Sequence, residues 1–169
     1  MRAAIIASIL TLAGTPAFAS CADSEIGRAL DFWLGDWTVH AGGEQVGTNA
    51  IRSELKSCAI FEHWRNSRGG EGKSLFYFDG IAMNWRQVWV TEDTRRPGGL
   101  KHKQLVDFAD GMVRFSGTLE HPTRGEYLDQ TTLTRQPDGN VRQLIEISFD
   151  DGATWQTTFD ALYKRPETP

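Results

Sequence analysis

An antiparallel, up-and-down meander β-barrel of about ten strands, all-β apart from a short N-terminal helical segment, is the fold class this sequence predicts. Three observations predict it. Asp79-Gly80, Asp110-Gly111, Asp138-Gly139 and Asp151-Gly152, with Gly42-Gly43 and Gly69-Gly70 before them, punctuate the chain, and such pairs supply the positive φ of tight hairpin turns. Between them lie segments rich in Val, Ile, Thr and aromatic residues in which polar and apolar positions often alternate. No helical period, blade-type repeat or low-complexity linker interrupts them. About ten hairpin-linked strands in one sheet tend to curl and close, which removes exposed edges. A two-sheet sandwich satisfies the same strand count and stays open as an alternative.

Taken in chain order, residues 1–19 read as a signal peptide: Arg2 is the positive start, Ala3 to Leu12 the apolar run, and Ala17-Phe18-Ala19 the small-x-small cleavage site. The run falls short of the roughly 20 apolar residues that span a bilayer. The expected location is the periplasm or the exterior, with residues 20–169 as one barrel domain. Cys21 and Cys58 are the two cysteines, and export permits them to pair. "FASC" also fits a lipoprotein cleavage box loosely, which would acylate Cys21 and leave Cys58 free. The polar stretch Asp23 to Asp31 can form one or two helical turns. Strands are then expected at 36–41, 45–55, 58–66, 73–79, 84–91, 100–108, 112–119, 125–135, 140–149 and 154–164.

The last turn is "SFDDGATW", Ser148 to Trp155. Asp150 can accept hydrogen bonds from the turn's N–H groups, Gly152 can take the left-handed position and Trp155 can cover the turn. The pattern resembles the Asp box of sialidases, a structural hairpin repeated around a large propeller. One copy in a chain this short reads as a turn, not as sialidase chemistry.

"DFWLGDW", Asp31 to Trp37, resembles the start of lipocalins and their calycin relatives in its Gly35-x-Trp37. That resemblance implies a Trp37 that closes one barrel end against a basic residue of the final strand, Lys164 or Arg165, with Arg165 able to stack as a cation on the indole. "VGTNAI", "CAIFEHW", "GKSLFYFD", "WRQVWV", "VRQLIEISFDDGATW" and "FDALYKR" extend the similarity over nearly the whole chain to an uncharacterised family of exported, lipocalin-like bacterial domains. It implies fold more than activity. Nitrobindins share the architecture, but their axial histidine lies near the C-terminus, and no histidine follows His121 here.

Chemistry-bearing motifs are scarce. There is no G-x-S-x-G, H-E-x-x-H or C-x-x-C, Lys73 fails phosphate-loop spacing, and His40, His63, His102 and His121 lack metal-ligand spacing. Neither catalytic residues, metal nor cofactor are expected. The formal charge of −4 with no basic run disfavours nucleic acid, and a membrane too unless Cys21 is acylated.

Alternation is more informative. Cys58, Ile60, Glu62 and Trp64 share one strand face; so do Trp85, Gln87 and Trp89; so do Val141, Gln143, Ile145, Ile147 and Phe149. Their apolar neighbours turn these faces inward. The expected site is therefore an interior lined by Glu62, Trp64, Trp85, Gln87, Trp89 and Gln143, suited to a small apolar or amphipathic molecule. Two alternatives compete: a barrel enzyme, isomerase or hydrolase, using Glu62 as acid or base, and an envelope interaction protein with a solid core.

Overall fold

The computed structural model describes residues 20–95 and 97–167, so the expected signal peptide lies outside the described residues. Ten antiparallel strands close into one barrel: β1 (Gly35–Ala41), β2 (Glu44–Glu54), β3 (Ala59–Asn66), β4 (Glu71–Asp79), β5 (Asn84–Thr91), β6 (Leu100–Ala109), β7 (Met112–His121), β8 (Gly125–Arg135), β9 (Val141–Ser148) and β10 (Gln156–Lys164). Each pairs with its chain neighbours, and β1 closes on β10 through Thr38↔Lys164 to His40↔Leu162. Closure excludes the open sandwich. Every strand limit falls within two residues of the expected one, because the glycines that end the strands take positive φ at Gly42, Gly43, Gly69, Gly111, Gly139 and Gly152.

The N-terminal segment forms three single 3-10 turns, Cys21–Asp23, Ile26–Arg28 and Asp31–Trp33. They cover one end of the barrel. Leu30 and Trp33 are fully buried there, and the Trp85 indole donates to the Ile26 carbonyl (2.7 Å). Trp37 donates to the Trp33 carbonyl (2.8 Å). Trp33 meets Phe76 edge-on at 5.6 Å, and Phe76 meets Phe115 at 5.3 Å. The Arg165 guanidinium lies 3.7 Å above the Trp37 ring, which seals this end with a cation on an aromatic face. Gly35 makes the stack possible. Its φ is +125°, and a Cβ there would run into the Arg165 guanidinium.

Cys21 and Cys58 form a disulfide, which leaves neither sulfur for an acyl group. The bridge ties the covering segment to the turn before β3. In that turn Leu55, Lys56 and Ser57 hold φ of 49°, 55° and 67°, each a costly conformation for a residue with a Cβ. Ser20 Oγ also donates to the Lys56 carbonyl (3.3 Å). The bridged residues are 37 positions apart, so Cys21→Ser/Cys58→Ser should lower stability by about 4 kcal/mol by loop entropy. Chemical denaturation reads it out. A loss below about 1 kcal/mol would mean the covering segment holds without its bridge.

Candidate functional site

A strand alternates its side chains between two faces, and in a closed barrel one face is the interior. Near the covered end the inward positions are Trp33, Trp37, Phe76, Phe115, Val113, Leu133 and Val141, all almost completely buried. That half is solid. Toward the other end, the inward positions leave a cavity of about 540 Å³. It opens between the β3–β4, β5–β6, β7–β8 and β9–β10 turns, which contribute Asn66, Asp93, Arg124 and Phe149 to its lining.

The cavity has a polar floor and apolar walls. Glu62, Gln87, Lys103, Asp129, Thr131, Gln143 and Tyr163 form the floor; Trp64, Trp89, Ile145, Ile147 and Phe159 form the walls. Asn49 on β2 donates to Glu62 Oε1 (2.7 Å) and to the Tyr163 hydroxyl (3.2 Å), which in turn donates to Gln143 Oε1 (2.8 Å). Gln87 donates to Ser74 Oγ (3.1 Å). Among the described residues its own Oε1 is buried with no hydrogen-bond partner, an acceptor that a guest's N–H or O–H can meet. Also at the floor, Lys103 donates to Asp129 Oδ1 and to Thr131 Oγ1 (2.6 Å), and Lys101 donates to Asp129 Oδ2 (2.6 Å).

Burial sets the electrostatics of the floor. It pushes the Glu62 carboxyl upward, against the opposing pull of Ser74, Asn49, Lys103 and Lys101. It pushes Lys103 down to about 8, with Asp129 resisting. Burial, then the nearby Glu62, raises the Tyr163 phenol, so Tyr163 is a neutral donor at any ordinary pH.

Five of the six expected binding residues meet in this cavity: Glu62, Trp64, Gln87, Trp89 and Gln143. Trp85 does not line it. It faces inward as its parity requires, but it is fully buried in the solid half, edge-on to Phe78 at 5.6 Å. Parity fixes the face and not the height. At roughly 3.3 Å per residue, Trp85 lies about 13 Å along β5 from Trp89, below the cavity floor.

The expected hairpin has the geometry its residues permit. Asp150 Oδ1 accepts from the Thr154 amide (2.8 Å) and Ser148 Oγ (2.7 Å), Asp150 Oδ2 accepts from the Thr154 hydroxyl (2.6 Å), and Gly152 has φ +87° beside Trp155. These bonds hold the Asp150 carboxyl down at about 2. The hairpin also positions Phe149 at the mouth, stacked on Tyr127 at 5.2 Å with Arg124 3.3 Å above its ring.

Several site residues escaped the sequence reading. Phe159 and Tyr163 share a face of β10 with Ala161, so their alternation carried a usable signal. A bulge between Thr157 and Phe159 brings Phe159 into the wall. Asp129 likewise shares a parity with Tyr127, Thr131 and Leu133. Lys101 and Lys103 gave no such signal, since lysines on a strand ordinarily mark its wet face.

No protein-family profile matches the chain, and no curated protein matches its sequence.

Proposed function

We propose that this is an exported, lipocalin-like binding protein whose barrel takes up one small, amphipathic molecule. The cavity of about 540 Å³ with aromatic walls above a polar floor carries the reading. Its size lies within the range of small-molecule sites, and apolar surface buried against Trp64, Trp89, Ile145 and Phe159 contributes about 25 cal/mol per Å². Buried hydrogen-bonding groups at the inner end can orient a guest whose apolar body lies against the aromatic walls. The disulfide supports export, because such bridges persist in oxidising compartments. A solid-core interaction protein fits this interior poorly.

Isothermal titration with two naphthyl probes, 2-naphthamide and 2-naphthoate, tests the reading. Wild type should bind at least one of them saturably, with one-to-one stoichiometry. Ile145→Trp, which puts an indole into the cavity, should weaken that binding by about tenfold or more while the barrel stays folded. Failure of both probes, or binding indifferent to Ile145→Trp, would end the proposal.

A further inference from the structure

We propose that the guest carries a carboxylate, and that Lys101 and Lys103 seat it at the cavity floor. The inference rests on the binding reading above and specifies its ligand class.

Lys101 and Lys103 stand two residues apart on β6 and both point inward. Each ammonium bonds one oxygen of the same carboxylate, Asp129 on β8. The side chains of Lys103 and Asp129 are 1% and 3% exposed, and that of Lys101 16%. Two cations therefore share one anion whose oxygens are both engaged. The other acid at the floor, Glu62 on β3, already accepts from Asn49 (2.7 Å), and burial drives it toward its neutral form. A poorly solvated charge needs a partner. Asp129 is thus the one carboxylate that both ammonium groups bond.

Hydrogen-bond capacity agrees with the count. An ammonium has three protons to donate. Among the described residues Lys103 directs them to Asp129 and Thr131, and Lys101 to Asp129 alone. Donors remain for an entering anion, and charge-assisted bonds of this type are the strong ones. The backbone is arranged to allow the cluster. β7 separates β6 from β8, and opposite Asp129 it carries Gly117, which lets the β6 backbone lie close against β7 at this point. A Cβ on Gly117 would collide with the His102 carbonyl.

The mouth carries both signs, with Arg124 and His121 from the β7–β8 end and Glu71, Glu92 and Asp93 from the β3–β4 and β5–β6 ends. Glu71 is already paired, to His63 (2.9 Å) and Arg65 (3.0 Å). A guest with its apolar body between Trp64, Trp89 and Phe159 reaches Lys101 and Lys103 in the same cavity.

The pH dependence follows. The titratable groups around Lys103 are Asp129 on β8, Lys101 on β6 and Glu62 on β3. Free Lys103 titrates near 8, and a bound carboxylate stabilises its ammonium, which raises that value. Affinity for the carboxylate must then fall as pH rises through about 8.

Calorimetric titration with 2-naphthoate, 2-naphthamide and 2-naphthylmethylammonium isolates the charge at nearly constant shape. At pH 7 the wild type should bind the carboxylate roughly tenfold more tightly than the amide, and the ammonium most weakly. The preference should shrink at pH 9.5. Lys103→Met, which leaves Asp129 its bond to Lys101, should reduce the carboxylate preference to within about twofold. Lys101→Met, at the wetter position, tests the same point should Lys103→Met fail to fold. Amide binding equal to or tighter than carboxylate binding overturns the charge assignment and leaves the cavity reading standing. A preference unchanged in both lysine variants also overturns it. Failure of all three probes overturns both.

Discussion

Trp37→Ala should destabilise the barrel by about 4 kcal/mol, measured as a drop in the denaturant midpoint. Trp37 is 1% exposed, so truncation leaves a cavity that surrounding strands, fixed by closure on both sides, cannot collapse into. Three further interactions go with it. The Trp33 carbonyl loses its donor at 2.8 Å, Tyr163 loses an edge-to-face neighbour at 6.3 Å, and Arg165 loses the ring it covers. Trp37→Phe restores most of the volume but not the N–H, and should recover all but about 1 to 2 kcal/mol. Ile81→Ala serves as the comparison, because Ile81 is 99% exposed and should change stability by no more than about 0.5 kcal/mol. Equal losses in Trp37→Ala and Ile81→Ala would show that the covered end contributes nothing.

Asp129→Ala should cost about 3 to 5 kcal/mol at pH 7, the range for breaking a buried ion pair from one side. The variant strands Lys103, whose side chain is 1% exposed, beside Lys101 with no shared anion. Lys103 responds by releasing its proton. Its folded value, already pushed down to about 8, falls further below the ordinary lysine value, so the unfolded chain binds more protons than the folded one between those two points. Stability of the variant must therefore rise with pH in that window. Denaturation at pH 7 and pH 9 should show a smaller deficit at the higher pH. Removing both partners, as Asp129→Leu/Lys103→Met, should recover most of the loss, since an apolar pair leaves no orphaned charge. A single variant as stable as wild type would mean that water reaches the pair.

Much of the fold was legible because its signals are local. Glycine-bearing turns have few conformational solutions, and alternation over a strand reports which face is dry. Ten strands, their limits and the inward faces of β3, β5 and β9 follow from residues within reach of one another in the chain. The Ser148–Trp155 hairpin is the extreme case, since every bond that shapes it lies within four residues. Gly35, Trp37 and Arg165 were reached by another route, through resemblance, because a contact spanning the barrel from β1 to the end of β10 leaves no periodic trace.

The site was legible only in part, for a related reason. Glu62, Gln87 and Gln143 were found because apolar neighbours of the same parity marked their faces. Trp85 shows the limit of that signal: parity is indifferent to height, and height decides which inward residues pack solid and which line a cavity. Lys103 shows a deeper limit. A lysine turns inward only where a carboxylate meets it, and Asp129 lies two strands away on β8, brought within reach of Lys103 by the curvature of the sheet. By itself the sequence determined the ribbons, their corners and the dry side of β3, β5 and β9, all set by steric and solvation preferences of short segments. Tertiary structure alone decided where the interior is hollow and which charges face one another across it, because those depend on the curvature and stagger of the closed sheet.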